Sequence, residues 1–215
     1  MAPLPEPRRR LPYNIGMKLF AVALVALIPC LAASLGDVEK SRSIGNPAAP
    51  VRIDVYSDFQ CPACKLFHET LLPIMIRDYV VPGKVYIVFR EFPLAMHPYS
   101  REAAGYAVAA TQVGKYQQVA DALFHVQALW STNGKVWDVV AGVLTPAEQK
   151  KVQALAKDPS VLAQIQSDVD QGTLLKIDRT PTIFISKGQK HYPYAGPDMS
   201  NYPFLRALID DLITR

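Results

Sequence analysis

An α/β fold is predicted from the order of apolar segments along the chain. A strand, a helix and a second strand come first, a long helical stretch follows, and two strands and a final helix give the order β-α-β, helical insertion, β-β-α. A strand–helix–strand unit with these spacings favours parallel pairing of its two strands. Half of the 215 residues are hydrophobic, which is enough for a sizeable core.

The first β-α-β unit is marked by strong local patterns. Residues 51–56 and 85–92 are rich in β-branched and aromatic side chains, which is typical of buried strands. Between them, apolar residues recur at helical spacing from Cys61 to about Tyr79. Pro73 should kink this helix or begin a new segment. A turn at Pro82-Gly83 leads into the second strand.

The stretch from Ser100 to about Ile177 is helical in character, and we place the insertion at about residues 98–178. Ser100 is predicted to cap its first helix. Thr145 and Glu148 have the spacing of a capping box with proline at the first helical position. Asp158, followed by proline, should begin another helix.

The C-terminal part of the fold is predicted as a hairpin and a helix. Residues 182–186 and 191–194 form the strands, with a turn at 187–189 between them. The C-terminal helix spans Ser200 to Thr214, with apolar residues at helical spacing.

The first 34 residues have the pattern of an export signal. Basic residues precede an apolar run from Leu19 to Ala33, which ends in small residues. The run has about 15 residues and contains Pro29, so it is short for a membrane span of roughly 20 residues. We therefore predict a signal peptide cleaved near residue 34, with a retained N-terminal anchor as the alternative. The start of translation is either Met1 or Met17.

The formal charge of +4 comes mostly from this leader. Four basic residues and one acidic residue lie in the first 20 positions, so the remainder carries about +1. The predicted mature domain, residues 35–215, therefore has no basic surface of the kind that binds nucleic acid.

Cys61-Pro-Ala-Cys64 lies between the first strand and the first helix. Unpaired N–H groups and the partial positive charge of a helix N-terminus favour a thiolate there, so the pKa of Cys61 should be lowered. We predict that Cys61, with an exposed sulfur, is the attacking thiol and that Cys64 resolves the mixed disulfide. The third cysteine, Cys30, lies in the leader, so an exported mature chain would hold a redox pair alone.

The strand order, the Cys-Pro-Ala-Cys motif and Arg179-Thr-Pro-Thr182 before the third strand resemble the thioredoxin fold. More narrowly, the chain resembles the DsbA-like thiol-disulfide oxidoreductases of bacterial cell envelopes, which carry a helical insertion at this point. The motif that begins at Asp58, and Phe92-Pro-Leu followed by His97, are similar to one branch of that family. The resemblance covers about residues 45–214.

This resemblance implies a protein-disulfide oxidoreductase without a cofactor or metal. Cys61, Cys64 and Pro181 would be catalytic, and Thr180, Pro62 and Ala63 would contact substrate. The Thr180-Pro181 bond would be cis and face the disulfide. Expected partners are cysteine-containing proteins or peptides and a membrane redox-recycling protein. The expected location is the periplasm or cell envelope, and the expected state is a monomer.

Two departures from the strongly oxidising members predict a weaker oxidant. Ala63 replaces a histidine between the cysteines, and Val55 replaces a buried glutamate. Without the histidine, helix-terminus amides alone would stabilise the thiolate, so the disulfide would be less oxidising. Thr180 before the proline resembles reducing or isomerising relatives.

Several alternatives remain open at this point. The same cysteines serve oxidation, reduction and isomerisation, and a substrate-binding or chaperone-like module would also keep the fold. Cys61, Cys64 and His68 could bind a metal, although a structural zinc site needs four ligands. Asp58 is either a proton-handling group for Cys64 or a turn residue.

Overall fold

A five-stranded sheet forms the centre of the fold in the computed structural model, which describes Met1, residues 35–198 and residues 200–215. The strand order is β1-β3-β2-β4-β5, with β2 and β3 parallel and the other pairs antiparallel. This confirms the predicted α/β class and the parallel first unit. The strands are β1 Ser43–Ile44, β2 Val51–Ser57, β3 Val85–Glu91, β4 Thr182–Lys187 and β5 Lys190–Ala195.

Ten α-helices lie within the described residues. They are α1 Leu35–Ser41, α2 Pro62–Leu66, α3 Leu72–Met75, α4 Ser100–Ala110, α5 Tyr116–His125, α6 Gln127–Trp130, α7 Val136–Ala141, α8 Pro146–Leu155, α9 Pro159–Leu174 and α10 Tyr202–Thr214. None of these helices is long and apolar enough to cross a membrane. The predicted signal segment lies outside the described residues.

The helix predicted from Cys61 to about Tyr79 is a continuous helical run with two π-helical turns. Residues Phe67–Leu71 separate α2 from α3, and Ile76–Val80 follow α3. Pro73 is in the first turn of α3, as its missing N–H predicts. The preceding turn, Phe67–Leu71, is π-helical, because the N–H of Leu72 bonds the carbonyl of Phe67 five residues back.

The insertion is formed by α4–α9 between β3 and β4. The capping box of Thr145 and Glu148 is confirmed, and Asp158 caps α9 as predicted. The role predicted for Ser100 is wrong. Tyr99 holds the N-cap position of α4 without a side-chain cap, and the Ser100 hydroxyl donates instead to the carboxylate of Asp58.

The sequence predicted one edge of the sheet, the β4–β5 hairpin, but not the other edge, where β1 lies. The hairpin between β4 and β5 is confirmed, with Gly188 at a φ of +58°, which a two-residue turn requires. The polar segment before β2 was not predicted to be regular, yet it forms α1 and β1. Its two-residue strand depends on pairing with β3, a contact that no local pattern reveals.

A buried ion pair ties the N-terminal segment to the insertion. Arg42, just after α1, is fully buried and bonds Asp168 of α9, which is 1% exposed. Asp168 also accepts the backbone N–H of Glu91 at the end of β3, while the carbonyl of Arg42 accepts the N–H of Phe89. Three separate parts of the chain are therefore held at one point, since a buried charge must keep its partner.

Breaking this pair should destabilise the fold strongly. We expect Arg42→Ala to lower the free energy of unfolding by about 3 kcal/mol, because it leaves the buried Asp168 with the more distant Arg90, at 3.4 Å, as its remaining cationic partner. Urea unfolding followed by circular dichroism measures the loss. Arg77→Ala, which removes the exposed partner of Asp78, is the control and should leave the midpoint unchanged. Equal midpoints for the two variants would contradict this role for Arg42.

Candidate active site

The two cysteines lie where β2 ends and α2 begins. Cys61 is the N-cap residue of α2, with extended backbone angles, and Pro62 follows at the first helical position. The N–H of Cys61 donates to the carbonyl of Asp58 at 3.1 Å, and the N–H of Lys65 donates to the carbonyl of Cys61 at 3.1 Å. These bonds place the Cys61 side chain at the helix N-terminus, where backbone N–H groups are free to face a thiolate.

Both cysteines are buried, Cys64 more completely than Cys61. Cys64 is fully buried, whereas Cys61 is 8% exposed. The prediction of an exposed Cys61 is therefore wrong in degree, because neighbouring residues cover most of the side chain. Pro62 and Ala63 between the cysteines are exposed, so a substrate can approach Cys61 along this side.

The Thr180-Pro181 peptide bond is cis and faces Cys61, as the family resemblance implies. The Cys61 Sγ lies 3.4 Å from the carbonyl oxygen of Thr180. Pro181 is held in turn by the N–H of Gly196, which donates to its carbonyl at 2.8 Å. The loop before β4 therefore forms one wall of the site.

The pair is electrostatically asymmetric. The thiol of Cys64 donates to the sulfur of Cys61 and, with the Thr180 side chain and the backbone N–H groups of Cys64 and Ala63, lowers the pKa of Cys61 to about 5 against the opposing effect of burial. Burial, together with the neighbouring Cys61, raises the pKa of Cys64 well above its ordinary value. Cys61 is thus the thiolate at neutral pH, as predicted. The largest cause, however, is the Cys64 thiol rather than the helix amides.

Asp58 connects the cysteines to the insertion. Its backbone N–H donates to Cys64 Sγ at 3.4 Å. Its carboxylate accepts bonds from the N–H of Leu94 and from Nδ1 of His97, both at 2.8 Å, and from the hydroxyl of Ser100. These contacts place Asp58 in the turn at the strand end, which was one of its two predicted roles.

Two glutamines around the motif were missed by sequence reasoning. The side-chain amide of Gln127 donates to the carbonyls of Phe59 and Cys61, at 2.7 and 3.1 Å. Gln60 accepts the N–H of Tyr99 and donates to the carbonyl of Ser131. The insertion therefore braces the backbone on both sides of the motif. A polar residue at a buried helix position was the available signal for Gln127.

A buried carboxyl lies on β3 beside the end of β2. Glu91 pairs in register with Ser57 and accepts the hydroxyl of Tyr116 at 2.7 Å. Burial raises the pKa of Glu91 to about 7, against the opposing charge of Arg42. Val55, where the strong oxidants have their buried glutamate, is itself fully packed in the core. Glu91 was not predicted, since its position depends on strand register.

The remaining candidates have structural contacts away from the sulfurs. His68 bonds Asp121 at 2.8 Å and stacks on Phe124. Within residues 35–198 and 200–215, no group of three His, Cys, Asp or Glu side chains is arranged to hold a metal. Trp130 is fully buried and Trp137 packs on Tyr106.

Comparison with known proteins places this geometry in a family context. Residues 37–210 match the thioredoxin family. The chain is 23% identical over 184 residues to a probable disulfide bond formation protein D of Bacillus cereus, covering 78% of this chain and 85% of that protein.

Solved structures share the fold. BdbD of Bacillus subtilis in its oxidised form superposes with a TM-score of 0.67 at 22% identity, covering 82% of this chain and 95% of that one. Wolbachia pipientis alpha-DsbA1 gives 0.66 at 22% identity, covering 80% and 90%. These similarities confirm the predicted thioredoxin fold with a helical insertion.

The cause assigned to the low pKa of Cys61 can be tested directly. Alkylation of the reduced protein, quantified on the Cys61 peptide, should reach half its maximal rate near pH 5. Cys64→Ala removes the thiol donor and should raise that midpoint, whereas Cys64→Ser keeps a hydroxyl donor and should raise it less. An unchanged midpoint in Cys64→Ala would contradict the assigned cause.

The same shift predicts a pH-dependent stability of the reduced form. The pKa of Cys61 is about 5 in the folded chain and about 9 when unperturbed, so the unfolded chain binds more protons between these values. The reduced protein should therefore gain stability as pH rises from 5 towards 9 and lose it as pH falls through 5. Urea unfolding measures this, and Cys61→Ser should abolish this contribution.

Proposed function

The chain belongs to the thioredoxin family, and on that premise we propose that it is an exported thiol-disulfide oxidoreductase that forms or exchanges disulfides in cell-envelope proteins. The observation that carries the proposal is the asymmetry of the pair. Cys61, with a pKa of about 5, lies beside the Thr180 carbonyl, and the neutral thiol of Cys64 lies behind it. This is the arrangement that thiol-disulfide exchange requires.

In the oxidising direction, a substrate thiolate attacks Cys61 Sγ in the Cys61–Cys64 disulfide. A bond forms between the substrate sulfur and Cys61, and Cys64 leaves with the electron pair. A second substrate thiolate then attacks the first substrate sulfur and displaces Cys61 as a thiolate. The substrate dithiol is oxidised to a disulfide, and the enzyme disulfide is reduced by the same two electrons. The two substrate protons pass to Cys64 and to solvent.

Substrate would bind as an extended segment along the loop before β4. Thr180 and Pro181 supply backbone close to Cys61, and Pro62 and Ala63 give an uncharged, exposed approach. Recognition through main-chain groups carries little sequence preference. Many different cysteine-containing proteins or peptides could therefore be substrates.

The redox poise proposed for the pair is intermediate. A pKa of about 5 lies between the values of about 7 for thioredoxin and about 3.5 for the strongest oxidant of this fold class. A lower thiolate pKa stabilises the reduced form and makes the disulfide more oxidising. Ala63 supplies no cation to the thiolate, which agrees with a weaker oxidant.

Export rests on the pattern of the first 34 residues, and a retained anchor there is the alternative. In an oxidising compartment, the pair would need a membrane redox protein to restore the disulfide after each cycle. The protein would act as a monomer, because each chain contains both cysteines and the Thr180-Pro181 wall.

The alternatives share the site and differ in turnover. A reductase or isomerase of the same fold would run the exchange in reverse, with Cys61 attacking a substrate disulfide. A chaperone-like binding module would catalyse neither insulin reduction nor oxidative refolding of a reduced protein. The redox state of the pair in freshly isolated protein separates the directions, since a disulfide indicates an oxidase and a dithiol a reductase or isomerase.

Removing each sulfur should have a different effect. Cys61→Ser should abolish turnover, because it removes the attacking thiolate. Cys64→Ser should accumulate mixed disulfides between Cys61 and substrate, because the resolving thiol is lost. Non-reducing electrophoresis after incubation with a scrambled, disulfide-containing protein measures the mixed disulfides, and insulin reduction measures turnover. Unchanged turnover in Cys61→Ser would overturn the proposed function.

The proposed poise is tested by equilibrating the protein with glutathione. We expect a potential between about −270 mV, the value for thioredoxin, and about −120 mV, the value for the strong oxidant. Ala63→His should make the disulfide more oxidising by adding a cation beside the thiolate, and Ala63→Gln is the uncharged control. A wild-type potential near −120 mV would contradict the weaker-oxidant assignment.

A further inference from the structure

Asp58 contacts both cysteines through its backbone. Its N–H donates to Cys64 Sγ at 3.4 Å, and its carbonyl accepts the N–H of Cys61 at 3.1 Å. The residue is 1% exposed and lies in the turn between β2 and α2. The orientation of its two peptide groups therefore fixes both the N–H donor to Cys64 Sγ and the position of Cys61 at the start of α2.

The side chain of Asp58 is held by four donors. One oxygen accepts the N–H of Leu94 and Nδ1 of His97, both at 2.8 Å. The other accepts the N–H of Gln60 at 2.7 Å and the hydroxyl of Ser100. Three of these donors belong to the segment that leads from β3 into α4. Since a carboxylate accepts about four hydrogen bonds, this one is fully satisfied and has little freedom to turn.

The charge that forms on Cys64 needs a donor. When the disulfide opens, the attacking sulfur bonds Cys61, the Cys61–Cys64 bond breaks, and Cys64 receives the electron pair as a thiolate. Cys64 is fully buried, and its burial disfavours that anion. A backbone N–H aimed at the sulfur stabilises the anion where water cannot reach it.

We propose that Asp58 is a positioning residue for disulfide opening, whose carboxylate, anchored by the entry to the insertion, fixes its own backbone N–H as the donor to the Cys64 leaving thiolate. The inference rests on the proposed exchange function and names a group that this function does not itself require. The entry to the insertion thereby acts on the chemistry of Cys64 through Leu94, His97 and Ser100 rather than by touching substrate.

The hydrogen bonds that anchor the Asp58 carboxylate and the negative charge that it carries have opposite effects on the rate of disulfide opening, which makes the proposal testable. A negative carboxylate near a forming thiolate disfavours it, so removal of charge alone would speed disulfide opening. Loss of the anchored geometry would slow it. Asp58→Asn removes the charge and mismatches its amide with the four donors, and Ser100→Ala keeps the charge while removing one anchor.

The experiment measures the rate at which excess glutathione opens the oxidised full-length protein, together with the equilibrium constant of the same reaction. We expect Asp58→Asn to open about tenfold more slowly, the lower end of what a lost hydrogen bond to a charged group produces. Ser100→Ala should open about threefold more slowly. Both equilibrium constants should change less than about twofold, because Cys64 is a neutral thiol in the reduced product and the anion exists only during opening.

Asp54→Asn is the matched control. Asp54 lies on β2, just before the turn that holds Asp58, and pairs with Arg52 and Arg90, so its loss removes a carboxylate and costs stability without contact to the cysteines. Its opening rate should equal that of the wild type. Thermal unfolding of all variants shows the fraction folded, and rates are compared for the folded protein.

Three results would overturn the proposal. They are a wild-type opening rate in folded Asp58→Asn, a faster rate in that variant, and an equilibrium shift as large as the change in rate. The first would mean that Asp58 serves folding alone, the second that its charge dominates, and the third that it acts on the resting states. The proposed function fails separately if the wild type opens with glutathione yet neither oxidises nor reduces a protein substrate.

Discussion

The position of β2 between β3 and β4 is the constraint on which the site depends. β2 is parallel to β3 and antiparallel to β4. The C-terminal end of β2 therefore lies beside the C-terminal end of β3 and the N-terminal end of β4, at one end of the strands. Tyr56 lies opposite Thr182, and Ser57 lies opposite Glu91. Cys61 and Thr180 are 119 residues apart in sequence, yet this register brings them into contact. The insertion leaves the sheet after β3 and returns before β4, so it begins and ends at this same end of the strands.

The Cys64 thiol, helped by the helix start rather than by a nearby cation, gives the two sulfurs different chemistry. The helix start offers N–H groups and a thiol donor to Cys61, and the core withholds water from Cys64. The insertion supports this arrangement from outside, through Gln127 on the carbonyl of Cys61 and through the buried Arg42–Asp168 pair that fixes α9 against the sheet. An insertion that lacks the cysteines therefore still determines how rigidly they are presented.

Much of the fold and of the site could be predicted because it depends on local sequence patterns. The element order, the cysteine motif and the helix starts at Thr145 and Asp158 follow from hydrophobic periodicity and capping chemistry, and the cis bond followed from family resemblance. What was missed depends on contacts between distant segments. The short β1 exists through its pairing with β3, and Ser100 has the residue type of a cap but donates to a turn 42 positions earlier. The low exposure of Cys61 likewise depends on packing around it.

Under the proposed function, the outer edge of the sheet has a consequence for the unfolded chains that would be substrates. β5 is an edge strand, and unfolded polypeptides readily anneal to such edges as an added strand. Pro193 sits in the middle of β5 and has no N–H to offer, and Lys190 and His191 lie at its exposed beginning. β5, an edge strand to which unfolded chains could anneal nonproductively, is thus a poor template for that annealing. Under the proposed function, substrate chains would be left free to engage the loop before β4, where Cys61 lies beside Thr180, and to depart after exchange.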